Sequence, residues 1–269
     1  MLKHKKVVFG LIAVFLALAV LVAVGGLFLS RQYAVPILMY HSVNPVSDRE
    51  RNRLIVPVEV FERQMRFLKK NNYNVVSLDS LIPLLEAKKR IPPRTVAITF
   101  DDGYKDNYTY VFPILKKYQL PATIFIIVQE VGRSLDDRLS WKQIKEMQDS
   151  GLVKIGSHAI GPDPLYKMKT EEDLRRQIFD SKKILGEKLG SEVLVFSYPE
   201  GMFDQHMKEL VKEAGYKMAV ATKPGEKFAN DDLFALKRQR VSANSGDGIV
   251  FWAQASGYYQ FFKGKKRQK

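Results

Sequence analysis

Cysteine is absent from this sequence. Its absence excludes disulfide bonds, a thiol nucleophile and a cysteine-based zinc site, but it says little about the cellular compartment. Histidine is scarce, with 4 residues in the chain. The 269 residues suffice for one large α/β domain or two small ones, and an apolar fraction of 46% is ordinary for a globular core.

Acidic residues are outnumbered by basic ones, 29 against 43, which gives a formal net charge of +14. Such a charge favours anionic partners, namely nucleic acid, acidic phospholipid headgroups or anionic glycans. The sequence carries no nucleic-acid-binding motif, and its N-terminus indicates export. We therefore predict no nucleic-acid partner.

Charged residues are also missing from Val7 to Leu29, an uninterrupted run of 23 residues. As a helix this run would span about 34 Å, enough for the roughly 30 Å hydrocarbon layer of a bilayer. It is longer than the apolar region of a secretory signal and no clear cleavage site follows, which favours a membrane anchor over a cleaved signal peptide. The lysines within residues 1–6 predict a cytoplasmic N-terminus, a single span in the cell membrane and an extracytoplasmic domain.

Repeats and a convincing internal linker are absent from residues 30–262, where strand and helix patterns alternate. The alternation predicts one domain, an α/β fold with a parallel-stranded β/α barrel, followed by a basic tail at 263–269. The charged, proline-containing stretch 43–57 is predicted to be a surface loop. The predicted strands are 35–40, 74–78, 95–100, 122–128, 153–157, 193–198, 217–222 and 236–241. The predicted helices are 58–70, 81–89, 107–118, 141–150, 170–189, 204–214 and 248–261.

Two adjacent carboxylates follow one of these strands, the apolar, β-branched run Thr95 to Phe100. Asp101 and Asp102 cannot both be buried, ionised and unpartnered, because desolvating a single carboxylate costs several kcal/mol, so a cation must lie close by. Gly103 allows a tight turn that leaves the next amide N–H groups free to point into a site. Alone, the segment is equally compatible with an ordinary strand end and an Asp-Gly turn.

Three further motifs end predicted strands: Leu38-Met-Tyr-His-Ser42, Ile155-Gly-Ser-His158 and Phe196-Ser-Tyr-Pro-Glu-Gly201. Together with Thr99-Phe-Asp-Asp-Gly103, and in this order, they resemble the motifs of the polysaccharide deacetylases, carbohydrate esterase family four, over roughly residues 35 to 260. The resemblance implies a distorted (β/α)7 barrel and a metal-dependent hydrolase that removes N-acetyl groups from N-acetylhexosamine glycans. The Met-Tyr-His segment near the start is similar to the branch that acts on poly-N-acetylglucosamine.

A metal site is predicted where the strand ends converge. Asp102 and His158 supply one oxygen and one nitrogen, a combination that suits zinc or another first-row divalent ion, and zinc is the ion we expect. The family usually has a second histidine shortly after the first, and this chain has none there. Asp163, in the following loop, is the predicted third ligand, with the alternative that it caps the turn at Pro162-Asp-Pro164.

The resemblance also implies roles for the remaining site residues. Asp101 is then the base and Arg238 pairs with it, although Arg240 lies on the same strand face and is an alternative partner. The Tyr104 N–H, just past the Gly103 turn, is a natural oxyanion donor. In much of the family the acid lies in a C-terminal Leu-x-His segment, which this chain lacks because no histidine follows residue 206. The resemblance to the branch with Met-Tyr-His near its start implies that His41 is the acid instead.

The segment around Tyr198 and Pro199 is predicted to contact the substrate, though Ser197 and Glu200 depart from the family pattern. Three large aromatic residues are predicted to pack in the core rather than to stack on sugars: Trp141, Phe251 and Trp252. His4, in the basic head, and His206, on a helix, are predicted to be solvated. A catalytically silent glycan-binding domain with the same fold is the alternative function. The sequence indicates neither the glycan nor the oligomeric state.

Overall fold

The computed structural model describes residues 34–45, 54–87, 89, 91–133, 137–222, 232–242 and 248–259, together with the isolated positions 15, 20 and 24. The predicted head at 1–6 and tail at 263–269 lie outside the described residues, as does the predicted span 7–29 apart from those three positions. Within the described part of the chain, no helix is long and apolar enough to cross a membrane.

The described strands all pair in parallel. Among the described residues, eight of them form one sheet in the order β1-β10-β9-β8-β7-β6-β5-β4, and β1 also pairs with β5. That second pairing closes seven strands into a barrel and leaves β4 beside the first half of β5. The expected (β/α)7 barrel is therefore confirmed. The strands are β1 (Ile37–Tyr40), β2 (Ser42–Val43), β3 (Ile55–Val56), β4 (Asn74–Val76), β5 (Thr95–Phe100), β6 (Ala122–Ile126), β7 (Val153–Ser157), β8 (Val195–Ser197), β9 (Met218–Ala221) and β10 (Leu236–Arg240).

Helices connect the barrel strands and cover them from outside. Local capping fixes several of their starts: the Thr170 hydroxyl accepts from the Asp173 amide at 3.0 Å, as predicted, and Ser140 forms a capping box with Gln143. The described α-helices are α1 (Val58–Lys70), α2 (Leu78–Glu86), α3 (Phe112–Tyr118), α4 (Trp141–Asp149), α5 (Glu171–Arg175), α6 (Ser181–Leu189), α7 (Gln205–Glu213) and α8 (Gly248–Ala255).

Several boundaries differ from the prediction. The segment 43–57 is not wholly a loop, because Ser42–Val43 and Ile55–Val56 pair as short strands. The helix predicted at 81–89 begins at Leu78 instead, since the Ser77 hydroxyl caps it. Turns of π-helix at Asn107–Val111, before Pro113, and at Arg176–Asp180 interrupt the predicted helices 107–118 and 170–189, a feature that apolar spacing does not reveal.

Strand alternation sorts side chains between the barrel interior and the helix layer. Along β5, Val96, Ile98 and Phe100 pack in the large cluster that contains the surrounding helices. Ala97 packs in a second cluster with side chains of the other barrel strands and of α2. Asp101 therefore leaves β5 on the inner side, which directs its carboxylate into the barrel mouth.

Candidate active site

Most of the predicted site residues meet at one cavity of about 240 Å³ at the C-terminal ends of the strands. This is the end at which β/α barrels carry their active sites. Eight of the residues to which the sequence assigned a role in the site line it: His41, Asp101, Asp102, His158, Tyr198, Pro199, Arg238 and Arg240. Segments more than a hundred residues apart are thus brought together by closure of the barrel.

Arg238 is the cation that the Asp101–Asp102 pair requires. Its two terminal nitrogens donate to the two Asp101 carboxylate oxygens, each at 2.6 Å. Its Nη2 also donates to the Ser197 hydroxyl at 2.9 Å, and both partners of the ion pair are buried. The guanidinium lies over the Phe125 ring, 5.4 Å from its centroid. The choice left open between Arg238 and Arg240 is therefore settled geometrically in favour of Arg238.

The charge on Asp101 is fixed by this pairing. Burial by itself raises the pKa of the carboxyl, but the Arg238 guanidinium, with smaller help from His158 and His41, brings the pKa down to about 2. Asp101 is therefore ionised at any pH near neutrality. A carboxylate with so low a pKa is a stable anion and a weak base.

His158 turns one ring nitrogen towards the two aspartates. Its Nδ1 lies 2.7 Å from the Ser197 carbonyl oxygen, which can only accept, so Nδ1 carries the proton. The Nε2 of the neutral ring is then an acceptor, and it faces Asp102 Oδ1 at 3.5 Å and Asp101 Oδ2 at 3.9 Å. Acceptors that face each other at such distances repel unless a proton or a cation lies between them. The donor set of Asp102 and His158 therefore fits a divalent metal ion, with the Ser197 carbonyl orienting the histidine.

His41 lines the same cavity from the end of β1. Its carbonyl oxygen accepts from the Asn107 side-chain amide at 3.0 Å, which fixes the backbone at that strand end. Burial lowers the pKa of the imidazole below its ordinary value of 6.5, against the opposing attraction of Asp101 and Asp102. The resting ring is thus mostly neutral near pH 7.

Left-handed backbone is concentrated around the cavity. Asp102, Ala159 and Glu200 are three of the six non-glycine residues with positive φ in the described part of the chain, at 70°, 69° and 57°. Each follows the end of a barrel strand, where such a conformation costs of order 1–3 kcal/mol. Backbone strain of this kind is typical of loops that must hold functional groups in place.

A family model, described as polysaccharide deacetylase, matches residues 88–219. The Bacillus subtilis protein YxkH, itself only provisionally assigned as a polysaccharide deacetylase, is 36% identical over 208 residues, which cover 77% of this chain and 71% of that protein. This chain belongs to the polysaccharide deacetylase family.

Two further relatives of the family support this assignment. A poly-β-1,6-N-acetyl-D-glucosamine N-deacetylase of Staphylococcus aureus is 29% identical over 214 residues, covering 76% of this chain and 69% of that protein. The structure of the Streptococcus pyogenes deacetylase PplD in complex with acetate matches with a TM-score of 0.73 and 27% identity, over 80% of this chain and 96% of that one.

Asp163 is not brought to the other predicted ligands of this family member. Its side chain is exposed, and it is not among the residues that line the cavity, although Gly161 and Pro162 are. Among the residues that the structure describes, no group of three histidine or carboxylate side chains is arranged to hold a metal ion. The three-ligand set is thus not assembled here, and the ligand role of Asp163 stays a prediction.

Tyr104, the predicted oxyanion donor, lies in an antiparallel bridge with Arg138 and is not among the residues that line the cavity. Leu139 donates to the Gly103 carbonyl and Lys105 donates to the Asp137 carbonyl, both at 2.9 Å. In this antiparallel bridge the Tyr104 N–H points away from the segment 137–139. None of the described residues accepts a hydrogen bond from it. The role of Tyr104 stays a prediction.

The aromatic predictions have mixed outcomes. Tyr198 lines the cavity, but its ring stacks on Phe203 with centroids 4.5 Å apart, and its hydroxyl donates to the Phe234 carbonyl at 3.1 Å. The ring is held in the core, so substrate contact by Tyr198 and Pro199 stays a prediction. Phe251 is buried, as expected, whereas the core position predicted for Trp252 is wrong because its side chain is 54% exposed.

Asp106 is a half-buried carboxyl beside the site that no sequence pattern pointed to. It accepts hydrogen bonds from the Ser42 hydroxyl and from the Asn107 amide, the second at 2.8 Å. Burial raises the pKa of its carboxyl to about 6, although those hydrogen bonds oppose the rise. Asp106 and Asn107 thus tie the strand end that carries His41 to the loop that carries Asp102. An Asp-Asn pair before an apolar helical pattern is typical of an ordinary helix start, so no local pattern distinguishes this carboxyl.

Proposed function

We propose that this family member hydrolyses the acetamide groups of a polysaccharide of N-acetylglucosamine at the outer face of the cell membrane. The observation that carries the proposal is the convergence, in one cavity, of the Arg238-held Asp101 carboxylate with the facing acceptors of Asp102 and His158. The Staphylococcus aureus relative supports the choice of sugar. The uncharged run 7–29 supports the location.

Asp102 and His158 would hold one divalent metal ion, with zinc as the expected ion. When bound, such an ion polarises the acetamide carbonyl and lowers the pKa of a water molecule. The low pKa of Asp101 makes such acidification necessary, because a weak base accepts a proton only from a strongly acidified water.

The chain's own groups divide the proton transfers. Asp101 takes the proton of the attacking water, while Arg238 keeps the carboxylate oriented through both of its oxygens. The Tyr104 N–H donates to the oxygen that gains charge in the transition state. His41, once protonated, gives its proton to the departing nitrogen, since an amine is a poor leaving group without one.

Acetate release tests the activity. We expect release from oligomers of β-1,6-linked N-acetylglucosamine, loss of release with a chelator, and recovery when zinc is restored. Asp101→Asn should bind the oligomers but release no acetate. Glycan binding without acetate release by the native protein would refute the proposal and favour the silent binding domain.

Carbonate extraction tests the location separately. The full-length chain should stay with the membrane fraction, because the uncharged run is long enough to span it. A mature protein that begins near residue 30 would refute the anchor and leave the chemistry untouched.

A further inference from the structure

Helix α8 (Gly248–Ala255) has no charged residue on any side. Its inner face is buried against the barrel through Phe251, Gln254 and Ala255. Its outer face carries Ile249, Val250 and Trp252, which are 75%, 37% and 54% exposed. A helix that is apolar all round is normally covered on all sides, so this outer face indicates a contact beyond the described chain.

Basic side chains lie next to this apolar face. A groove of about 390 Å³ separates α8 from α1, and Phe67 and Phe251 meet there with ring centroids 5.8 Å apart. Three of the groove's described lining residues are cationic and none is acidic: Arg63, Arg66 and Lys70. Of the two acids of α1, Glu62 is engaged by Lys117 at 2.6 Å and Glu59 is exposed in the first turn, so the three cations exceed them in charge. The surface that results, the outer face of α8 with these three cations, is called the basic-apolar flank below.

The chain enters the barrel beside this flank. The Ala34 amide donates to the Gly257 carbonyl at 3.1 Å, just past the end of α8. The uncharged run ends at Leu29, only five residues before Ala34, and five extended residues reach at most about 18 Å. Helix α8 itself is about 12 Å long. If the run spans the bilayer, the C-terminal end of α8 therefore lies within that reach of the membrane surface, and its N-terminal end lies at most one helix length further away.

We propose that the basic-apolar flank lies against the anionic phospholipid surface of the membrane that the uncharged run crosses. Trp252 and Ile249 enter the interfacial layer, where tryptophan is enriched, and Arg63, Arg66 and Lys70 contact lipid phosphates. The proposal rests on the anchor proposed above but not on the deacetylase chemistry. Its effect is to fix the orientation of the barrel on the membrane, which a flexible tether would leave open.

Charge disfavours the other possible occupants of this flank. In a two-fold dimer the same surface would face itself and bring the three cations of each copy together. The C-terminal tail 263–269 carries five basic and no acidic residues, so it too is repelled by the flank. An anionic bilayer complements both the charge and the apolar face.

The chain offers its own probe and control, because it has only 2 tryptophans, Trp141 and Trp252. Trp141 begins α4, which packs on β7, whereas α8 is bonded to β10 through Gln254 and the Arg240 carbonyl. In the closed order of the barrel, β7 lies opposite β10 and β1. Trp141→Phe thus leaves a reporter on the flank, and Trp252→Phe leaves one on the far side.

The experiment places the full-length chain in lipid nanodiscs, one chain a disc, with brominated anionic phospholipid as the quencher. Trp252 emission should be largely lost in the Trp141→Phe variant, whereas Trp141 emission should persist in the Trp252→Phe variant. Arg66→Glu with Lys70→Glu should restore Trp252 emission. Lys142→Glu with Lys145→Glu, the same charge change on α4, should not.

Unquenched Trp252 in these discs would overturn the proposal, whether a second copy or the chain's own tail covers the flank. Equal quenching of both tryptophans, or a chain that does not incorporate into discs, would overturn it as well. Acetate release from soluble oligomers, measured on the same discs, separates this outcome from a failure of the proposed activity.

Discussion

Removing the Arg238 guanidinium should invert the pH dependence of stability. In the native chain the pKa of Asp101, about 2, lies below its ordinary value of 3.8. The pair therefore stabilises the fold above about pH 4, and this stabilisation is lost as the pH falls towards 2. A shift of that size corresponds to about 2 kcal/mol of unfolding free energy at neutral pH.

In Arg238→Met, burial is left to dominate and raises the pKa of Asp101 above its ordinary value. The ionised carboxylate then destabilises the fold, so the variant should become more stable as the pH falls from 8 towards 5. Breaking a buried pair in this way costs about 3–5 kcal/mol at neutral pH. For a domain of this size, that loss lowers the melting temperature by about 10 °C.

The assay is thermal and urea unfolding between pH 3 and 8 in the presence of a chelator, so that metal binding does not contribute. Arg240→Met is the matched control, because Arg240 lies two residues further along β10 and is exposed. Asp101→Asn in the Arg238→Met background should remove the inverted pH dependence. An Arg238→Met variant whose stability follows the wild-type pH profile would refute this account of the pair.

Three other perturbations have clear expected outcomes. His41→Ala should fold normally and deacetylate about 10²–10⁴ times more slowly than the wild type. Because an acid must be protonated to act, wild-type activity should fall as the pH rises through the pKa of His41, which lies below 6.5. A rate that rises with pH in this range would exclude the acid role. Gly201→Ala should destabilise the fold by about 2–3 kcal/mol in urea unfolding, because the added Cβ would lie 1.8 Å from Thr222 Oγ1. Gly190→Ala is the control, since Gly190 also has a positive φ, +65°, but has open space around it, and it should cost less. Equal losses of stability in the two variants would contradict the clash. Asp106→Asn should abolish the decline in stability that ionisation of Asp106 causes as the pH rises through about 6, and an unchanged unfolding profile would show that its burial has no such effect.

The need for a cation at Asp101 could be deduced from the sequence, but not the identity of that cation. Arg238 and Arg240 are two residues apart on one strand and therefore point to the same face, so periodicity cannot distinguish them. Register decides, because Arg238 pairs with Ile37 at the start of β1 and Arg240 with Met39, nearer the mouth. The lower position is inside the barrel and the upper one is exposed.

The convergence of four distant motifs could be predicted from the parallel β/α architecture. Parallel strands deliver their C-terminal ends to one rim, so a histidine or aspartate that follows a strand is placed there by the fold. His41, Asp101, Asp102 and His158 all followed this rule. Asp163 did not, because it lies six residues beyond the strand that ends at Ser157, in a loop whose path local sequence does not set.

The amino-acid sequence by itself determined the alternation of strands and helices, the cap at Thr170 and the placing of ionisable residues at strand ends, because each depends on neighbours within a few positions. Tertiary structure alone decided which side chains lost their water. It placed Asp106, half-buried, between the ends of β1 and β5, and it left Trp252 exposed on a helix that composition assigned to the core. Burial is set by which surfaces the closed barrel brings together, and those surfaces come from residues far apart in the chain.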